Sequence, residues 1–147
     1  MKESKTEPDQ EALKAWYKKE LNTVVQEMLK TNAITGAAVE AAPIWASPHK
    51  ILVAKVWSAT QKSQFIWTIS GDAVVTDHIA GSMATKPRDV VRHFALKWQM
   101  DADRLLSLAK SKPMVEGSVE HMQAYTEKLI QHAELLYDLS SRDNIWQ

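Results

Sequence analysis

No cysteine occurs among the 147 residues. Disulfides, thiolate metal ligands and cysteine nucleophiles are therefore excluded, and a reducing compartment, the cytoplasm, is the expected location. Glycine is nearly as scarce. The four glycines are scattered, so no glycine-rich phosphate loop can be built, and Gly71 and Gly81 form no nucleophile elbow. No apolar run approaches the ~20 residues that span a bilayer, so no membrane association is expected. Residues 1–11 mix charges of both signs without an apolar stretch, which argues against a secretory signal there. An excess of one charge sign is also missing. The chain carries 18 Lys+Arg and 18 Asp+Glu, so it lacks the basic footprint of a nucleic-acid binder.

What is present is ordinary globular composition, 45% hydrophobic and 24% charged, at a length that suits one domain. The charge is unevenly distributed. Residues 86–112 hold seven basic and three acidic side chains, and residues 113–147 hold two and six. These two segments are expected to attract each other, though exposed pairs contribute only ~0–1 kcal/mol each.

Leu13, Trp16, Tyr17, Leu21, Val24, Val25 and Met28 recur at three- and four-residue steps, which predicts a helix from about Asp9 to Thr31. Lys14, Lys18, Lys19 and Glu20 fall mostly on its other faces, and Asn32 and Gly36 stop it. Residues 37–48 contain Pro43 and Pro48, so they form a loop or an edge strand. Strands are predicted over Ile51–Ser58, Gln64–Ser70 and Val74–Ile79, with short connections that imply an antiparallel meander. Thr85 suits an N-cap ahead of Pro87 in a second helix. The apolar stripe of that helix is Val91, Phe94, Ala95, Trp98, Ala102, Leu105 and Ala109. Lys112-Pro113 ends it, and Gly117-Ser118 starts a third helix with Met122, Tyr125, Leu129, Ala133, Leu136 and Leu139 inward. The fold class is α+β: an N-terminal helix, a meander of three or four strands, then an antiparallel helix hairpin in which Phe94, Trp98 and Leu105 face Tyr125, Leu129 and Leu136. Residues 1–8 read as a flexible lead-in, 9–141 as one domain and 142–147 as a tail.

Candidate functional residues are few. Arg88, Arg92 and Gln99 lie within ~40° on the helical wheel. Paired arginines suit a carboxylate or phosphate, so a small anionic ligand is one reading. A structural salt-bridge network is the other. Six tryptophans are many for this length. Trp45, with Ile44 between the two prolines, and Trp146 lie outside the strong periodic patterns and are candidate interface residues. The five histidines show no ligand spacing. His121 and His132 share a helical azimuth but stand ~16 Å apart along the axis. No metal and no cofactor is expected. No spacing suggests a catalytic triad, and no catalytic residue is identified.

Trp67-Thr68-Ile69-Ser70-Gly71-Asp72, Pro87-Arg88-Asp89 and the run from Arg92 to Gln99 resemble a family of small uncharacterised bacterial proteins, a domain of unknown function. The resemblance covers Trp16 to about Ala109. It implies a bacterial cytosolic protein and lends no catalytic residue. The functional expectation is a non-enzymatic interaction or regulatory protein, with a homodimer or another protein as partner. The alternative is a binder of, or enzyme for, an anionic metabolite using Arg88 and Arg92.

Overall fold

Twenty-four residues, Glu7–Lys30, wind into the first helix, α1. In the computed structural model, which describes residues 7–36, 38–111 and 117–146, the chain then runs through four strands and two further helices. Contacts divide it into two compact units, Met1–Ser82 and Met83–Gln147. Most of the predicted lead-in, residues 1–6, lies outside the described residues.

The first unit is α1 on a four-stranded antiparallel sheet of order β1-β2-β3-β4, with β1 Val39–Ser47, β2 Ile51–Ser58, β3 Ile66–Ser70 and β4 Asp77–Ala80. One face of β2 meets α1. Trp16 packs with Leu52 and Ala54, and Val24 and Met28 pack with Val56. Burying each such side chain contributes roughly 1.5–3 kcal/mol. The opposite face carries Ile51, Val53, Trp67 and Ile69, all buried.

The buried row of α1 is Trp16, Glu20, Val24 and Met28, at four-residue steps. Glu20 therefore sits on the core side, not among the solvated charges where its type alone would place it. Two strands are shorter than their composition predicts. Gln64 and Phe65 precede β3, and Val74 and Val75 precede β4. The second difference follows from the turn. Gly71 has φ 133°, and a Cβ there would strike the Lys50 carbonyl. The same carbonyl accepts the Ala73 amide at 3.1 Å. Residues 71–73 are thus tied to the start of β2, and pairing with β3 resumes only at Asp77.

The second unit is an antiparallel helix pair, α2 Pro87–Ser111 and α3 Ser118–Ser140. Pro87 is the first helical residue and the Lys86 carbonyl accepts from the Val90 amide. The cap position is therefore Lys86, one residue past the expected Thr85. Val90, Val91, Phe94, Ala95, Trp98 and Ala102 are buried on α2. On α3 the buried residues are Thr126, Leu129, Ala133, Leu136 and Ser140. Tyr125 is 50% exposed, so the inward stripe runs through Thr126 in its place. The rings of Trp98 and His132 meet at 6.3 Å between centroids, midway along the pair.

Candidate functional site

The arginine candidates belong to the end of α3. A helix leaves its last four carbonyls without partners inside the helix. Here those of Tyr137, Asp138, Leu139 and Ser140 are all accounted for. Tyr137 O accepts from the Ser140 and Ser141 hydroxyls, each at 2.9 Å, and from the Ser141 amide at 3.1 Å. Asp138 O also accepts from the Ser141 amide. Leu139 O accepts from the Arg142 amide at 3.1 Å and from Trp146 Nε1 at 2.9 Å. Ser140 O accepts from Arg88 Nε at 2.7 Å. Arg88 Nη2 turns to Asp143 Oδ1, also at 2.7 Å. The guanidinium thus spans the helix end and the chain that follows. A cation at this position also opposes the negative end of the helix dipole.

Arg92 is held more loosely. Its Nη2 lies 3.5 Å from Ser140 O, and its Nη1 lies 3.6 Å from a carboxylate oxygen of Asp89. Gln99 is exposed two turns further along α2. The structure gathers Arg88 and Arg92 at one carbonyl and leaves Gln99 apart. Trp146, read as an interface candidate, closes α3 beside Arg88. The residue sequence reasoning missed is Asp143. The wheel treats α2 alone, so it cannot show which carboxylate a later turn brings to Arg88.

One histidine in this unit has a displaced titration. His132, partly buried between its helix and Trp98, has its pKa lowered from 6.5, first by desolvation and then by the Lys128 charge one turn earlier. Among the described residues no group of three or more His, Cys, Asp or Glu side chains could hold a metal ion. No helix among them is long and apolar enough to cross a membrane.

The second candidate lies in the first unit, on the outermost strand. β1 pairs with β2 alone, and its register shifts between Pro43 and Trp45. Pro43 lies opposite Ala54 and Trp45 opposite Val53, so Ile44 is the extra residue of a bulge. Ile44 is 40% exposed and Trp45 half-buried. Tyr17 of α1 joins Pro43, Ile44, Trp45 and Ala46 around a shallow groove of about 410 Å³. Tyr17 in turn packs edge-on against the buried Trp16, 5.3 Å between ring centroids. Proline and tryptophan marked this segment in the sequence. Tyr17 carried no such mark, because its spacing is that of the core face.

A second cleft of the same unit, about 530 Å³, is lined by Ser63, Gln64, Phe65, Gly81 and Ser82 among others, without a charged side chain. Beside it Lys55 Nζ stands 4.4 Å from the centre of the Phe65 ring and 5.0 Å from that of Trp67. This cation–π arrangement anchors the lysine on its own sheet.

The model of one family, described as a domain of unknown function, matches residues 10–146. The chain belongs to this family, DUF4826. The DUF4826 match begins inside α1 and ends at Trp146, so it takes in the groove beside Tyr17 and every residue that closes α3. No curated protein and no solved structure matches the chain.

Proposed function

We propose that this protein is a non-enzymatic interaction module of the bacterial cytoplasm that binds a protein partner through the bulged segment of β1. The observation that supports this most is the bulge itself. It lifts Ile44 out of the sheet register and leaves it exposed beside Trp45 and Tyr17, at the rim of a groove. Bulges re-aim side chains at sheet edges. An exposed aliphatic residue flanked by large aromatics has the composition of an interface centre. A second copy of the chain is one form of such a partner. The anion-site reading is less well supported, because Arg88 already serves the end of α3 and its carboxylate neighbour is Asp143.

The test compares wild type with Ile44→Asp, which changes an exposed side chain and spares the core. Sedimentation velocity over a concentration series reads self-association. Affinity capture from native lysate with quantitative mass spectrometry reads other partners. Ile44→Asp should melt like wild type and lose either the self-associated species or a reproducible captured protein. An Ile44→Asp chain that keeps every captured protein and the same sedimentation profile would remove this segment from the function.

A further inference from the structure

The sheet of the first unit has two edges, and they differ. β4 is four residues long, whereas β1 has nine. A long edge is the more dangerous, because its unpaired amides and carbonyls offer a template to another strand. The direction of those groups in β1 follows from the ladder. The Ala59 amide donates to Ala38 O at 2.9 Å, which makes Ala38 and Ala59 a hydrogen-bonded pair. Antiparallel pairs alternate between bonded and non-bonded. In the observed register, Glu40 with Trp57 and Ala42 with Lys55 are then bonded pairs. Val39, Ala41 and Pro43 fall at the non-bonded positions and direct their backbone groups away from β2. Neither the Val39 nor the Ala41 amide has a partner outside the sheet among the described residues.

The third outward position is thus a proline, which has no amide to offer. It costs nothing towards β2, since its nitrogen does not face that strand. Immediately after it, the extra residue Ile44 breaks the two-residue repeat that an added strand would have to follow. The ladder available to a newcomer is therefore cut in the middle of β1. We propose that Pro43 and the Ile44 bulge together close the β1 edge to strand addition, so that the chain does not extend its sheet onto a second copy. Contacts made by this segment then run through side chains and not through a shared backbone ladder. The inference concerns the backbone edge alone and holds whether or not Ile44 and Trp45 bind a partner.

Two measurements test it. The first is amide hydrogen exchange on the wild-type chain, resolved by NMR. The amides of Val39 and Ala41 should exchange roughly tenfold or more faster than those of Glu40 and Ala42. Equal protection of all four would mean that the edge is occupied or the ladder runs differently, and would overturn the proposal. The second uses a variant with Pro43→Thr and Ile44 deleted, which restores both the missing amide and the regular repeat. It should form larger species in sedimentation velocity at concentrations where wild type does not, with new protection at Val39 and Ala41. A variant that melts cooperatively yet sediments like wild type throughout would equally overturn it. Should the variant fail to fold, the exchange pattern of the wild type decides.

Discussion

Arg88 and Arg92 stand one turn apart on the same helix and reach for the same carbonyl, yet their contacts differ in kind. Arg88 donates at 2.7 Å to both Ser140 O and Asp143 Oδ1, whereas the contacts of Arg92 are 3.5 and 3.6 Å. A hydrogen bond from a charged donor contributes about 1.5–3 kcal/mol. The exposed ion pair to Asp143 adds ~0–1 kcal/mol at most. Arg88→Ala should therefore destabilise the chain by roughly 1.5–3 kcal/mol, and Arg92→Ala by no more than about 0.5 kcal/mol. Urea denaturation of both variants checks the contrast, and equal losses would contradict the assignment of Arg88 as the cap of α3. Glu20 poses the opposite question. It lies on the buried row of α1, and among the described residues its ion-pair partner is Lys19 Nζ at 3.9 Å, a side chain that is itself 66% exposed. Such a pair recovers little of the cost of burying a carboxylate, and apolar replacements of buried charges are often neutral or stabilising. Glu20→Met keeps helix propensity and extends the apolar row. It should leave the unfolding free energy unchanged or raise it by about 1 kcal/mol or more. A clear loss would show that the Glu20 carboxylate makes a contact the core depends on.

At the scale of elements, the α2–α3 pair contains its own pH response. The His132 pKa is lowered below 6.5 in the folded chain, mainly by burial. Both folded and unfolded forms are neutral at this position well above pH 6.5, so the stability it permits is fully present there. As the pH falls through 6.5 the unfolded chain takes up the proton first, and stability declines until the folded pKa is passed. The midpoint of wild type should therefore drop between pH 7.5 and 5.5 by more than that of His132→Gln. Parallel curves would show that His132 does not titrate differently on folding. The same pair shows how far elements can be read from sequence. Pro87 marked the start of α2 to within one residue, and β2 fell where its β-branched run predicted, because both depend on local chemistry. The start of β4 could not be read that way. Val74 and Val75 have strand composition, but the Lys50 carbonyl holds the preceding turn through the Ala73 amide, a contact across 23 positions of sequence. Tyr125 and Thr126 illustrate the remaining gap. One is large and half apolar, the other small and polar, yet Thr126 is buried and Tyr125 is 50% exposed. Hydrophobicity alone ranks them the other way. The candidate sites were legible to the same degree. Prolines placed Ile44 and Trp45 at an edge, while Tyr17 and Asp143 entered through tertiary contacts that no spacing encodes.

The whole molecule is defined electrostatically by what it lacks. Its formal charge is zero at pH 7, and counting by unit gives nine basic and nine acidic residues in Met1–Ser82 and the same numbers in Met83–Gln147. Neutrality is therefore not a cancellation between two oppositely charged halves. Its pH dependence follows from residue types. Histidine titrates near 6.5, cysteine near 8.5, and tyrosine and lysine near 10 and above. With five histidines and no cysteine, side chains take up protons on the acid side of neutrality and release almost none between about pH 7.5 and 8.5. Net charge should rise steeply below pH 7 and stay near zero over that one alkaline unit. His132 contributes less to that rise than an unperturbed histidine would, because burial lowers its pKa. Proteins near zero net charge associate and precipitate most readily. Solubility in a fixed concentration of polyethylene glycol should therefore climb on acidification while showing a flat minimum from about pH 7.5 to 8.5 in place of a sharp one at the sequence pI of 7.0. Electrophoretic mobility across pH 5.5–10 measures the same curve directly. A symmetric minimum centred on pH 7 would contradict this account.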